Sequence, residues 1–397
     1  MEAETQPISA LIVLIVVFGK YIENRKISIA FIYVIGYSVL LLPWLLLGMF
    51  DSVPRAFLYW ALYLLGPIVF AYFFTYYSEN KTKKLVSNLI CFFVLLSIVQ
   101  YIFPFSLSNT IEPYLDHFVK RMHMSRFDDA RGVGLIFSEP SHAARALWLL
   151  IVLQFLYTSN RRLLLFFLIT TLIFVLTNKS VTLIFLLFLT FLFWFSLEYK
   201  KAAMIIFLLT LLILPLGFIS ILSLSENYDS ATEVSRVGQL LNSVSLVWER
   251  GFTLNDLQYF GSIRSISLIT GYMSALIEPL GYGLGVGASH TLDNMNLVGF
   301  DPSSIWFINN QLVGDVIKPY SYMAQIFQDI GAFAIFFLVF ITFKIISIAR
   351  KGKSKLDSRV ASVLFVSCFQ LLFYSSTTMP VAWVGLGISL FKLSEKR

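Results

Sequence analysis

The sequence predicts an all-α, polytopic membrane protein with about eleven transmembrane helices and two outer loops, the second large and partly helical. Three observations predict it. Of 397 residues, 57% are hydrophobic and only 13% charged, about half the charge of an ordinary soluble chain. The apolar residues fall in blocks of about 14 to 25, close to the roughly 20 that a helix needs to cross the hydrocarbon core. Short connectors that alternate along the chain carry most of the Lys and Arg. A β-barrel would instead show apolar alternation in strands of about 10 residues.

The spans read from the N-terminus are about 8–22, 27–50, 56–77, 85–105, 140–158, 163–177, 181–197, 202–222, 321–347, 360–378 and 380–393. Lys20, Arg25 and Lys26 lie in the first connector, and Lys81, Lys83 and Lys84 in the third. Arg161 and Arg162, Lys200 and Lys201, the run Arg350 to Arg359, and the terminal Lys392, Lys396 and Arg397 follow. With eleven spans all of these share one side. The positive-inside rule makes that side cytoplasmic, with the N-terminus outside. Glu2 and Glu4 precede the first span without a Lys or Arg, an N-terminus unlike a secretory signal. Cys91 and Cys368 lie inside apolar blocks, so no disulfide is expected. The net charge of +7 belongs to the connectors, so no nucleic-acid partner is expected; membrane lipids are.

This divides the chain into N-terminal membrane helices (1–105), a first outer loop (106–138), central membrane helices (139–222), a large outer loop (223–320) and C-terminal membrane helices (321–397). In the large loop Val234, Val237, Leu241, Val244 and Trp248 recur at helical spacing. Arg264 to Leu280 is apolar enough to lie along the membrane surface, and the glycine run Gly281-Tyr-Gly-Leu-Gly-Val-Gly287 follows. Such a run lets backbone approach closely and can cradle an anion on its N–H groups.

All four histidines gather on the outer side, together with Arg131, Arg145, Lys179, Arg250, Arg264 and Lys318. Loops that only connect helices have no need of so many ionisable groups. In Arg131-Gly-Val-Gly-Leu-Ile-Phe-Ser-Glu-Pro-Ser-His142, Ser138 or Ser141 can cap the fifth span, and Pro140 suits its first turn. Glu139 either complements the helix dipole or acts as a base. Arg145, one turn below His142, needs an anionic partner at that depth, either Glu139 or a ligand. No zinc-binding or phosphate-loop signature is present, so metal-independent chemistry without a cofactor is expected.

The segment Arg131…Gly-Leu-Ile-Phe-Ser-Glu-Pro-Ser141 resembles a motif of the Wzy-type O-antigen and exopolysaccharide repeat-unit polymerases. Arg264 followed by Pro279-Leu-Gly-Tyr-Gly-Leu-Gly285 is similar to a stretch that these polymerases share with O-antigen ligases. Asn178-Lys179-Ser180 and Gln328-Asp-Ile-Gly331 resemble two further family segments, in the right order. The resemblance implies a glycosyltransferase of the GT-C type in the bacterial inner membrane. It would polymerise undecaprenyl-pyrophosphate-linked oligosaccharide repeat units, with a chain-length regulator protein as partner. Glu139, His142 and His290 are then the candidate bases. Arg131, Arg145, Lys179, Arg250, Arg264 and Lys318 are the candidate substrate-binding residues. The alternatives are an O-antigen ligase and a lipid-linked oligosaccharide transporter. Ligases carry a His-Asn pair before the span that follows the large loop, where this chain reads Lys318-Pro-Tyr-Ser321. A transporter needs polar groups deep in its spans, and Gln325 and Asp329 are the main ones here.

Overall fold

Apolar surroundings force each backbone N–H and C=O to find its partner within the chain, and a helix does this segment by segment. The computed structural model describes residues 29–103, 135, 140–158, 161–199, 253–305, 308, 317–351, 357–374 and 380–395, with 15, 19 and 23. Among the described residues there is no strand, and thirteen α-helices carry the fold. The N-terminal half holds α1 (Ile29–Leu40), α2 (Leu42–Asp51), α3 (Val53–Tyr76), α4 (Glu79–Ile102), α5 (Pro140–Tyr157), α6 (Arg161–Asn178) and α7 (Val181–Glu198). The C-terminal part holds α8 (Leu257–Ile277), α9 (Thr291–Val298), α10 (Tyr322–Ile330), α11 (Phe333–Lys351), α12 (Ser358–Phe373) and α13 (Val381–Glu395). The expected span 8–22 apart from residues 15 and 19, the expected span 202–222, most of the first outer loop and the helical pattern of 234–248 lie outside the described residues.

Two helices, α3 and α4, are 24 residues each and apolar enough to cross a membrane. At 1.5 Å per residue each reaches about 36 Å, beyond the roughly 30 Å hydrocarbon thickness. A third candidate is the pair α1 and α2, bent by 43° at Leu41. Pro43 stands in the first turn of α2, where its missing N–H breaks the ladder that a straight helix needs. The stretch read as one span at 321–347 is likewise two helices, α10 and α11, broken at Gly331 with φ +66°. Helices α5, α6, α7, α12 and α13 are shorter but equally apolar.

The helix ends sort into two groups. At one end the Tyr77 and Tyr157 hydroxyls meet, Ser358 Oγ donates to Glu198, and Lys392 Nζ lies 2.9 Å from a Glu79 oxygen. There Arg359 Nη1 also donates to the Thr158 carbonyl at 3.0 Å. These residues close α5, α7 and α13 and open α4 and α12, so the helices alternate in direction, as successive crossings require. Apolar side chains such as Leu85, Leu95, Leu165 and Leu172 point outward from α4 and α6. Lipid can solvate such a surface where water cannot.

Candidate functional site

The glycine run after α8 has an occupant supplied by the chain itself. Gly281, Gly283 and Gly285 all have positive φ, which turns N–H groups of the run toward the end of α10. Gly283 N donates to the Asp329 carbonyl at 2.9 Å. Gly285 N donates to Asp329 Oδ2 at 3.0 Å and Gly287 N to Oδ1 at 3.1 Å. The Tyr63 hydroxyl of α3 adds a third side-chain bond, 2.6 Å to Oδ2. The run expected to cradle a ligand anion therefore cradles an internal carboxylate, buried to 1% exposure. Gly331 permits the closure: a Cβ there would stand 2.2 Å from the Pro279 carbonyl oxygen. The Ala332 N–H donates to that same oxygen at 2.8 Å.

Fifteen residues of chain, 317–331, lie beside this latch and carry a second constellation. The Ile317 carbonyl accepts from the Thr291 hydroxyl at 2.6 Å. Helix α8 passes so close to Pro319 that a Cβ at Gly271 would stand 2.8 Å from the proline ring. Ser321 caps α10 by accepting from Ala324 N at 2.9 Å. Held on both sides, Tyr320 projects to where two of the expected substrate-binding arginines meet. Arg145 of α5, 1% exposed, donates through Nη2 to the Tyr320 hydroxyl at 2.6 Å. The Arg264 guanidinium of α8 stacks 4.4 Å from the centre of the same ring. Tyr374, at the end of α12, is within electrostatic reach of Tyr320 and of both arginines. Four elements distant in sequence thus converge on one point.

The other expected residues divide. His142 is half-buried in the first turn of α5, one turn from Arg145 and on the same side. Lys179 closes the α6–α7 turn at φ +50° with its ammonium 5.6 Å from the Tyr101 ring, at the far end of α4. Lys318 reaches over the Tyr59 ring at 5.6 Å and acts on Asp329 electrostatically, so it serves the latch. His290 stacks on Tyr282 with 4.3 Å between ring centres and 9° between planes. Burial raises the Tyr282 phenol pKa, the hydrogen bond to Asn294 works against that, and Glu278 and Asp293 add to it. Glu139, Arg131 and Arg250 lie outside the described residues. The segment from Arg131 to Glu139 is represented by Leu135, whose N–H and C=O both pair with the Gln100 amide of α4 at 3.0 Å.

Sequence reasoning missed Tyr320, Asp329 and Gln100 as site-forming residues. Tyr320 had one signal: it occupies the stretch where the resembling ligases carry histidine. Among the described residues no three His, Cys, Asp or Glu side chains gather closely enough to hold a metal ion. Arg145, Arg264, Lys179 and Lys318 share this side with Arg55, which is paired with Asp51 at 3.2 Å. Comparison of the chain with family models, with curated proteins and with solved structures finds no match.

Proposed function

We propose that the chain is a glycosyltransferase of about eleven spans in the bacterial inner membrane, N-terminus outside and C-terminus cytoplasmic. It lengthens a polysaccharide on undecaprenyl pyrophosphate at the outer face. The observation that carries this reading is the convergence of Arg145 and Arg264 on Tyr320. A lipid-linked pyrophosphate leaving group needs cations at the rim of a helical bundle, where charge develops as its bond breaks. Guanidinium suits the task because its planar fork grips phosphate oxygens in pairs.

In the reaction an acceptor sugar hydroxyl attacks the anomeric carbon of the growing glycan. The bond from that carbon to the pyrophosphate oxygen breaks, and the pyrophosphate departs on its lipid. The hydroxyl proton passes to a base. Glu139, which directly precedes α5 in sequence, is the first candidate, with His142, in the first turn of α5, behind it. His290, stacked on Tyr282, is the third.

Two observations weigh against the alternatives. Asp329, one of two deep polar residues that would suit a transporter, has its carboxylate bonded to Tyr63 and the glycine loop. Tyr320 stands where the resembling ligases place histidine, and a phenol bound to arginine is a poor base.

The test is complementation of a polymerase-deficient strain, read as the polysaccharide ladder on a gel, with membrane levels checked by immunoblot. Arg264→Lys should impair the ladder and Arg264→Ala should abolish it at normal protein level, because lysine offers a point charge where a stacked plane is needed. A full ladder from Arg264→Ala would end the reading of Arg264 as the phosphate-binding group.

A further inference from the structure

At the end of the bundle that gathers Lys392 and Arg359, most charge is settled within the chain. Lys392 Nζ lies 2.9 Å from a Glu79 oxygen. Arg359 donates to the Phe155 and Thr158 carbonyls at 3.3 and 3.0 Å. Glu198 accepts from Ser358, and Asp357 caps α12 by accepting from Arg359 N. Four cations at the same end differ. Lys81, Lys83 and Lys84 in the first turns of α4 and Arg162 in the first turn of α6 are exposed, and among the described residues no carboxylate pairs with them. Helix α6 packs against α4 and begins at this end too, a few residues after Thr158.

Helical spacing sorts the lysines. Lys81, Lys84 and Asn88 recur at i, i+3 and i+7, so they share one face of α4. That face continues to Leu95, 65% exposed, and lies opposite the stripe of Val86, Ile90, Phe93 and Ser97 that packs into the bundle. Lys83 sits on the other side, one turn above Glu79. From Leu85 to Ile102 α4 carries no charged residue, and that stretch rises about 27 Å, close to the hydrocarbon thickness. Lys81 and Lys84 therefore stand at headgroup level, with Asn88 about 6 Å deeper than Lys84. The Asn88 side chain is exposed there and makes no hydrogen bond to a described residue. A bare amide facing hydrocarbon is costly unless something supplies its partners.

Two ammonium groups, then an amide, then apolar side chains, in order of depth, match the parts of one molecule. A phosphate meets the lysines, ester oxygens meet Asn88, and an acyl chain lies along Phe92 and Leu95. We propose that this face of α4, with Arg162 of the neighbouring helix, binds an anionic phospholipid of the leaflet at this end. A zwitterionic lipid offers the same esters and chains, but its own cation offsets its phosphate. The site is independent of the glycan-transfer reading and needs only that α4 crosses the membrane.

The experiment incubates full-length protein in detergent with phosphatidylglycerol or with phosphatidylcholine of the same acyl chains and follows bound lipid by native mass spectrometry across a titration. Wild type should favour phosphatidylglycerol by about tenfold or more. Lys81→Gln and Lys84→Gln should each weaken phosphatidylglycerol by about fivefold, and the double variant by about twenty-five-fold, with phosphatidylcholine unchanged. Asn88→Leu should weaken both lipids, since both carry the ester oxygens. Lys83→Gln removes the same charge from the other side of the helix and should leave both affinities unchanged. Equal binding of the two lipids by wild type overturns the site. So does a loss in Lys83→Gln as large as in Lys84→Gln, because the lysines would then act through net charge alone. Displacement of the lipid by glycerol phosphate overturns it too, by assigning the face to free anions. All three lysines are exposed, so the variants should melt with wild type, and the single variants carry the test if the double variant fails to fold.

Discussion

Replacing Asp329 tests whether the glycine latch holds the C-terminal helices in place. Its carboxylate accepts three side-chain hydrogen bonds, from Tyr63, Gly285 and Gly287, and all three donors lose their partner in Asp329→Ala. A buried donor left unsatisfied costs about 1–3 kcal/mol. Three of them, partly relieved by relaxation, come to roughly 5 kcal/mol, in line with the cost of stripping one partner from a buried charged network. Asp329→Asn keeps one accepting oxygen but turns an NH₂ donor toward N–H or O–H donors, so about half that loss is expected. One kcal/mol moves the melting midpoint of a medium-sized domain by about 2–4 °C, and less in a larger chain. Asp329→Ala should therefore melt about 5–10 °C below wild type, with Asp329→Asn between them. The assay is intrinsic-fluorescence melting of purified protein in detergent, with Tyr63→Phe as the variant that removes a single bond. An Asp329→Ala midpoint within 1–2 °C of wild type, by the same reasoning, would show that the latch contributes no stability.

Four further outcomes are expected. Gln100→Leu removes both bonds to the Leu135 backbone and should cut polymer output while leaving membrane levels normal on immunoblot, because it frees the segment that leads into Glu139. Glu139→Gln removes basicity but keeps shape, and should lower in vitro elongation by about 10²–10⁴-fold; near-normal elongation there together with its loss in His290→Ala would move the base to His290. Single cysteines at Asn255 and Ser303 should react with an impermeant thiol reagent in intact spheroplasts, and one at Ser354 only after lysis; labelling of Ser354→Cys from outside would overturn the topology. Purified protein should elongate lipid-linked repeat units in excess chelator, and loss of activity restored by Mg²⁺ would sink a mechanism carried by arginine alone.

Much of the helical layout was legible in the sequence because apolar blocks and charged connectors are local signals. The span boundaries read at 140–158 and 181–197 differ from α5 and α7 by a residue or so. Where the reading failed, the deciding contact was distant. The break at Gly331 looks like an ordinary glycine inside an apolar block, and only the approach of Pro279 to within a would-be Cβ radius explains it. The glycine run reads in sequence as a cradle for a ligand anion, whereas the carboxylate it holds belongs to Asp329, more than forty residues along the chain. Arg145 and Arg264 stand out in the sequence because charge at the edge of an apolar block is conspicuous. Tyr320 is one tyrosine among nineteen, and its part shows only where two guanidiniums share it.

The latch and the arginine pair are mechanically one device. Tyr320 precedes α10, Asp329 lies near its end, and every residue of this nine-residue helix is buried. A helix of that length rises about 13 Å, and close packing leaves it little room to shift. Ser321 fixes its start through Ala324, and the glycine loop fixes its end through Asp329. Gln328, beside Asp329, ties the same end to Thr291, which in turn holds the Ile317 carbonyl. Loosening the lower end therefore displaces Tyr320 at the upper end, and with it the contacts it makes with the arginines. The order of severity follows. Asp329 variants should lose polymer output as well as melting temperature, and Tyr320→Phe, which takes the hydroxyl acceptor from Arg145, should lower both to a lesser degree. A latch variant that melts early yet keeps full polymer output would show that α10 does not transmit its position to Tyr320.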